Sequence, residues 1–344
     1  MTSPSSSALT GLGLGLPVLA APMAGGATTP AMVIAAARAG GMGFLAAGYK
    51  DPQRLAAEIA AVRQESIPFG VNVFAPNSVP IATPDYRRYA DALRGEADRF
   101  GLTLPGGPID DDDAFGDKID LLLADPVPIV SFTFGLPPRA VIASLRKAGT
   151  IVAQTVTALP EAWAAADAGA DILIVQAAAA GGHSGTFTPD RPPEVVPITD
   201  LVARVGAEVG LPVIAAGGLA TAQAVAGVLE AGAAAAAVGT VLLRADESAA
   251  SATHKAALVD SARTETVLTR AFTGRPARGL RNTFIDRYEE IAPLGYPAIH
   301  HLTSPLRKAA AAAGEADLVH LWAGTGYRHA RAEPTAAILT SLAG

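Results

Sequence analysis

Residues Ile172-Leu-Ile-Val-Gln-Ala-Ala-Ala-Ala-Gly-Gly-His-Ser-Gly-Thr-Phe187 decide the fold class and carry the strongest functional signal. The apolar run Ile172–Val175 is typical of a strand buried on both faces. It ends at Gln176, and glycines then flank His183, which permits unusual backbone conformations and close approach of a flat ligand. Barrel enzymes carry their chemistry on such loops, just past a strand's C-terminal end. We interpret His183 as a proton-transfer residue that titrates near neutral pH, the alternative being a Gly-rich surface turn with an incidental histidine.

Short apolar strands alternate with helical segments along most of the chain. Asp51 and Pro52, for example, have the residue types of an N-cap and a first helical position. The first seven predicted strands are each followed by a predicted helix at short spacing. This alternation predicts a parallel sheet, and eight such units predict a TIM (β/α)8 barrel of the α/β class. The predicted strands are 17–23, 41–47, 68–74, 127–134, 150–155, 171–176, 212–216 and 234–238.

Two segments interrupt the alternation. Residues 75–125 hold predicted helices at 86–100 and 115–123 around Asp110–Asp113, which lacks the alternate spacing of a calcium loop and is interpreted as a solvated turn. The eighth helix has two candidates, 334–342 and 317–322. We therefore predict that residues 1–240 and 316–344 form the barrel. Residues 241–315 are predicted to be a helical insertion, or second small domain, over its C-terminal face and above the pocket.

Composition narrows the function classes. The chain has 344 residues, of which 50% are hydrophobic, enough for a large core. The net charge of −6 argues against nucleic-acid and anionic-membrane partners. The absence of cysteine excludes disulfides and thiolate metal sites or nucleophiles, and we expect no metal site. Met1–Thr10 lack a basic region and a long apolar run, so the expectation is a cytoplasmic protein without a signal peptide.

The turns after the last two predicted strands are candidates for binding a phosphate. In a barrel of this kind, the loops after strands seven and eight commonly present backbone N–H groups to a phosphate, and a nearby helix N-terminus adds a favourable field. Gly217, Gly218 and Gly239 allow close approach of the backbone, and Thr240 adds a hydroxyl donor. The alternative is that these glycines only end buried strands.

Two amides, Asn72 and Gln176, lie at or near strand C-termini and are expected to project into the barrel mouth. A side-chain amide both donates to and accepts from a heterocycle edge, although a buried amide satisfying loop backbone is an equal alternative. We expect His254, His320 and His329 to be exposed and His300–His301 to lie in a loop or at the surface. Gly11–Gly15 precedes a strand rather than a helix, which argues against a dinucleotide fingerprint.

The chain resembles the nitronate monooxygenases, formerly called 2-nitropropane dioxygenases. The resemblance covers nearly the whole chain. It is carried by Ala21-Pro-Met-Ala-Gly-Gly26, Gly70-Val-Asn-Val-Phe74, Gln176 with Gly181-Gly-His-Ser-Gly185, Ala215-Ala-Gly-Gly218, Ala237-Val-Gly-Thr240, Thr273-Gly-Arg-Pro-Ala-Arg-Gly-Leu280 and Leu321-Trp-Ala-Gly324.

The resemblance implies non-covalently bound FMN and oxidative denitrification, in which an alkyl nitronate or nitroalkane reacts with O2 to give a carbonyl compound and nitrite. It assigns His183 as the catalytic base, and Ala237 departs from a glutamine frequent in relatives. The implied cofactor-binding residues are Pro22, Met23, Ala24, Asn72, Gln176, Gly181, Gly217, Gly218, Ala237, Val238, Gly239 and Thr240. Phe132, Phe134, Ser184 and Lys308 are the candidate residues of the substrate pocket.

Two other functions stay open at this point. One is an NAD(P)H-dependent flavin reductase of the quinone reductase or enoyl-acyl-carrier reductase kind, which shares the barrel and the Gly-Gly-His loop. The other is a flavin-free barrel with a ligand-binding or regulatory role. The expected partners are the small nitro compound and O2, and a homodimer is an open alternative.

Overall fold

The computed structural model describes residues 13–344. Residues 1–12, which include the segment Met1–Thr10 used above to argue against a targeting signal, lie outside the described residues, as does the start of the Gly11–Gly15 run. Within residues 13–344 no helix is long and apolar enough to cross a membrane.

Eight parallel strands close into a barrel, which confirms the predicted TIM barrel. They pair in chain order, and the barrel closes where the first strand pairs with the last through Val18–Ala236 and its neighbours. Leu19, Ile172 and Ile214 fill the barrel interior. The barrel strands are β1 (Val18–Ala20), β2 (Met42–Ala46), β3 (Phe69–Ala75), β4 (Ile129–Phe134), β5 (Ile151–Val156), β6 (Ile172–Gln176), β8 (Val213–Ala216) and β9 (Ala235–Val238).

Helices cover the outside of the barrel. The side chains of Thr29 and Asp51 cap the N-termini of the first two helices, and a proline follows each cap. This confirms the prediction for Asp51 and Pro52. The predicted helix 86–100 is instead two helices that meet at Leu93, with Gly95 just beyond the break lowering helix propensity. The helices up to β9 are α1 (Pro30–Arg38), α2 (Pro52–Arg63), α3 (Thr83–Ala92), α4 (Arg94–Arg99), α5 (Phe115–Ala124), α6 (Arg139–Lys147), α7 (Leu159–Ala168), α8 (Ile198–Val209) and α9 (Ala222–Glu230).

The eighth barrel helix is the last helix of the chain, α13 (Thr335–Ala343). It contacts α1, α9 and β1, so it closes the helical layer where the barrel itself closes. This matches the candidate 334–342. The other candidate, 317–322, forms only a 3-10 turn at Ala316–Leu318. It cannot be the eighth barrel helix, because a single turn is too short to cover the outside of a strand.

A second layer, which we call the cap, lies over the C-terminal ends of the barrel strands. It has its own apolar cluster, in which Tyr89 of α3 joins Phe272, Phe284 and Leu302. Leu321 and Tyr327 belong to the same cluster. Packing therefore favours a chain that returns to the barrel near Pro334 rather than at residue 316. The predicted domain boundaries stay a prediction. The cap elements are α10 (Ala252–Ala257), β10 (Thr266–Thr269), β11 (Ala277–Leu280), α11 (Thr283–Tyr288) and α12 (Ala298–Ala313).

The cap is joined to the barrel by a small sheet. The two-residue strand β7 (Gly182–His183), in the loop after β6, pairs antiparallel with β11, with His183 opposite Ala277. β10 completes this three-stranded sheet. The histidine loop of the barrel is therefore held by backbone hydrogen bonds to the cap.

Candidate active site

A cavity of about 650 Å³ lies between the C-terminal ends of the barrel strands and the cap. This volume is within the usual range of small-molecule sites, roughly 300–1,000 Å³. The cavity gathers most of the predicted site residues on one surface. Those that line it are Pro22, Met23, Ala24, Asn72, Phe134, Gln176, Gly181, His183, Gly217, Gly218, Ala237, Val238, Gly239, Thr240 and Lys308.

Two predicted pocket residues lie away from this surface. Phe132 is fully buried against Phe115 in the layer between strands and helices, because alternate residues of β4 point to opposite sides and Thr133 takes the inward position. Ser184 is buried beside the cap, where its backbone N–H donates to Pro276, and it does not line the cavity. Phe134 reaches the cavity with a left-handed backbone, φ 84°.

One end of the cavity is built from backbone donors and glycines. Gly217 and Gly218 have φ of 104° and 77°, and a Cβ on Gly217 would lie 2.9 Å from the carbonyl oxygen of Ala177. The N-terminus of α9 follows them. The hydroxyl of Thr240 accepts a hydrogen bond from Gly324 N at 2.9 Å, which leaves its own hydrogen to donate. We call these groups the anion cradle; that they hold a phosphate stays a prediction.

The two amides differ in what they leave for a ligand. Asn72 Nδ2 donates to the hydroxyls of Ser131 and Thr133, both at 2.9 Å, while its side-chain oxygen Oδ1 has no partner within residues 13–344. Gln176 accepts from Gly185 N at 2.7 Å and donates to the His183 carbonyl at 3.2 Å. The Gln176 amide therefore holds the backbone of the histidine loop, as in the alternative interpretation given above. Its contact with a cofactor stays a prediction.

The far end of the histidine loop is fastened by the buried carboxylate of Glu161 on α7. One oxygen accepts from Thr157 N and Oγ1 at 2.6 and 2.9 Å, and the other accepts from Thr186 Oγ1 and Phe187 N, both at 2.7 Å. The guanidinium of Arg275 donates to the carbonyl oxygens of Ser184 and Thr186 from the cap side. The loop is thus held from both sides.

His183 lies at the centre of the cavity wall. Its Nε2 is 2.9 Å from the hydroxyl of Thr273, which is also 3.3 Å from the Arg275 carbonyl. Its ring packs edge-on against Phe134 and Tyr296, with centroids 5.5 and 5.7 Å away. Desolvation, with smaller contributions from the charges of Arg275 and Arg307, lowers the pKa of His183 to about 3. The imidazole is therefore neutral near pH 7, and the expectation that it titrates there is wrong.

The cap contributes histidines that we expected at the surface. His254, His300 and His320 all line the cavity, because the cap that carries them faces the barrel mouth. Desolvation lowers the pKa of all three, that of His254 to about 4. His301 stays outside, where it contacts Asp111 at 2.9 Å, and His329 is exposed as predicted.

Other cavity residues were not identified from the sequence. Tyr49 follows β2, and its ring stacks on His300 with a centroid distance of 4.3 Å. Arg307 lies on the same face of α12 as His300, and Trp322 packs 5.5 Å from the His183 ring. The signal for the α12 face was the helical spacing of residues 300, 304, 307, 308 and 311, all of which line the cavity.

A (β/α)8 barrel whose capped cavity lies at the C-terminal ends of its strands has the architecture of a barrel enzyme. The sequence profile of the family described as nitronate monooxygenase matches residues 6–343. The chain therefore belongs to the nitronate monooxygenase family and is a flavin-dependent oxidoreductase.

Similar proteins agree with this assignment. A probable nitronate monooxygenase of Staphylococcus aureus (strain Newman) is 36% identical over 336 residues, which span 96% of this chain and 94% of that protein. The solved structure of a nitroalkane oxidase from Streptomyces ansochromogenes is 47% identical, with a TM-score of 0.91, and the match covers 98% of this chain and 97% of that one. FabK from Thermotoga maritima is 26% identical, with a TM-score of 0.75 over 99% and 95% of the two chains.

Proposed function

We propose that this protein is an FMN-dependent nitronate monooxygenase that converts alkyl nitronates, with O2, into carbonyl compounds and nitrite. The observation that supports it most is a cavity lined by His183, Arg307 and Lys308, in which no Asp or Glu side chain takes part within residues 13–344. Such a cavity favours an anionic substrate, because nothing in its lining repels a negative charge.

The residues present fit FMN. The cradle at Gly217, Gly218 and Thr240 suits its phosphate, and the free side-chain oxygen Oδ1 of Asn72 suits a ring N–H. When bound, the flavin supplies the one-electron oxidation of the substrate and the reaction with O2. The protein's part is to hold the reactants, exclude water and move a proton.

The role of His183 is to accept the proton that a neutral nitroalkane loses when it becomes a nitronate. A hydroxyl has one hydrogen, so when Thr273 donates to the Arg275 carbonyl, His183 Nε2 donates to Thr273 and Nδ1 keeps a free lone pair. With its pKa lowered to about 3, His183 is a weak base. Preformed nitronates, which need no deprotonation, are therefore the better substrates on this proposal, and neutral nitroalkanes the poorer ones.

Anaerobic flavin reduction tests the proposal. The purified yellow protein is mixed without O2 with propionate-3-nitronate or with NADH, and the flavin released on heating is identified. We expect FMN, rapid bleaching by the nitronate, slow or no bleaching by NADH, and nitrite once O2 is admitted. Rapid bleaching by NADH alone would instead support the flavin reductase, and protein without flavin would support the ligand-binding barrel.

A further inference from the structure

The positive charges around the cavity are not equally neutralised. Lys50 and Arg54 both pair with Glu58, at 2.5 and 3.5 Å. Arg307 and Lys308, by contrast, have no carboxylate within 4.0 Å anywhere in residues 13–344. Lys308 is exposed at the rim, whereas Arg307 is only 4% exposed. Arg307 is thus a buried cation that lines the cavity without a counter-charge, which is costly unless a ligand supplies one.

The hydrogen bonds of Arg307 fix its side chain and leave one end of it open. Nε donates to Thr303 Oγ1 at 3.0 Å and Nη2 to the His300 carbonyl at 3.0 Å, with His300 Nδ1 3.3 Å away. Nη1 has no hydrogen-bond partner within residues 13–344. Burial lowers the pKa of Arg307 to about 10, so the guanidinium stays charged at neutral pH. Two preoriented N–H groups therefore remain for an acceptor.

The surroundings of Arg307 place this open end on the histidine side of the cavity. Arg307 contacts His300 through Nη2, and Tyr296 packs against the rings of both His300 and His183, with centroids 6.2 and 5.7 Å away. Tyr49, stacked on His300, accepts a hydrogen bond from the Tyr296 hydroxyl at 3.4 Å. The Tyr49 hydroxyl hydrogen has no acceptor in the described part of the chain, so it is a second free donor on this side.

We propose that Arg307 Nη1, together with the Tyr49 hydroxyl on the same side of the cavity, binds the planar two-oxygen anion of the substrate, and that Arg307 selects charged over neutral ligands. The shared chemistry is that of a nitronate or a carboxylate, which offers two acceptor oxygens in one plane. The identification of that anion with a nitronate rests on the function proposed above; the subsite itself rests on the geometry of Arg307.

A purely structural role is the competing explanation. Arg307 braces α12 through Thr303 and His300, and an arginine kept only for that purpose would affect folding but not ligand charge. The two roles separate when ligands of equal shape and different charge are compared. Butyrate and butyramide form such a pair, because both are planar at the head group and only butyrate is an anion.

The experiment titrates each ligand into the flavin-loaded enzyme and follows the flavin absorbance to obtain Kd. We expect wild type to prefer butyrate, and Arg307→Gln to weaken butyrate roughly 10- to 100-fold, the range for losing a hydrogen bond between charged groups, with butyramide nearly unchanged. Arg307→Lys should recover part of the preference, and Tyr49→Phe should weaken butyrate a few-fold. Lys308→Gln measures the contribution of the rim cation and should weaken butyrate less than Arg307→Gln does. The control is Arg87→Gln on the exposed side of α3, which should behave as wild type.

Each outcome decides the matter. Unchanged butyrate affinity in Arg307→Gln, or equal weakening of both ligands, would overturn the inference. If Arg307→Gln retains no flavin, Arg307→Lys and Tyr49→Phe carry the test, and wild-type butyrate affinity in both contradicts the subsite. A wild type that binds butyrate through Arg307 but forms no nitrite from nitronates keeps the subsite and refutes the proposed function. If the enzyme forms nitrite from nitronates but its Kd for butyrate does not depend on Arg307, the proposed function is kept and the subsite is refuted.

Discussion

The carboxylate of Glu161 offers the sharpest test of how the histidine loop is held. In Glu161→Gln one oxygen still accepts two hydrogen bonds, but the other becomes an NH2 group. That NH2 group faces one backbone N–H, of Thr157 or of Phe187, and one threonine hydroxyl that can turn to accept from it. One buried N–H is left unpaired, and the remaining bonds lose a charged acceptor. The expected loss of unfolding free energy is about 2–4 kcal/mol.

Urea unfolding at a fixed FMN concentration measures this loss, with the midpoint read from tryptophan fluorescence. Glu208→Gln is the matched control, because Glu208 is exposed on α8 and should change the unfolding free energy by less than about 0.5 kcal/mol. A Glu161→Gln protein within 0.5 kcal/mol of wild type would refute the reasoning, because it would mean that the four contacts are replaceable by water or by rearrangement.

Three further expectations concern the site. His183→Asn should retain flavin and lose kcat/KM mainly with neutral nitroalkanes, with a smaller loss on preformed nitronates; equal losses in steady-state assays remove the assignment of His183 as a base. Gly217→Ala should raise the Kd for FMN at least about tenfold in a fluorescence titration, because φ is 104° and the new Cβ meets Ala177 O at 2.9 Å, whereas Gly206→Ala, with nothing within 4 Å, should not. Desolvation lowers the pKa of His183 to about 3 and of His254 to about 4, from 6.5, so the unfolded chain binds more protons below pH 6.5. Unfolding free energy should therefore fall as pH drops from 6.5 towards 4, by up to roughly 1.4 kcal/mol per pH unit for each histidine; His254→Asn should flatten this slope in urea titrations and His329→Asn should not.

The barrel was predictable because its signals are local. Apolar runs such as Ile172–Val175, followed at short spacing by helices with caps such as Asp51, specify strand–helix units without reference to distant residues. Eight units close into a barrel because successive parallel strands pair. The same locality explains the anion cradle, since Gly217, Gly218 and Thr240 follow the last two strands directly and therefore meet at one end of the barrel.

The cap side of the cavity was not predictable in the same way. Its residues are brought to the mouth by packing between distant segments, as when Tyr89 of α3 donates to the Ala271 carbonyl at 2.5 Å, a contact that spans 182 positions. His254, His300 and His320 look like surface histidines in the sequence because their burial comes from the barrel below them. Phe132 and Phe134 show the complementary difficulty: strand alternation places both on one side, and the left-handed backbone at Phe134 turns only that ring to the cavity.

The pairing of β7 with β11 has a consequence for engineering this architecture. His183 shares a backbone ladder with Ala277 of the cap, whereas Glu161 of the barrel holds residues 186 and 187, so the reactive loop depends on both layers. Replacing the cap with that of another protein, in order to change the substrate range, therefore requires one of two measures. Either residues 181–187 are exchanged together with the cap, or the strand β11 that pairs with them is kept. A chimera joined only at residues 241 and 334 would leave the loop without the strand that orients its imidazole.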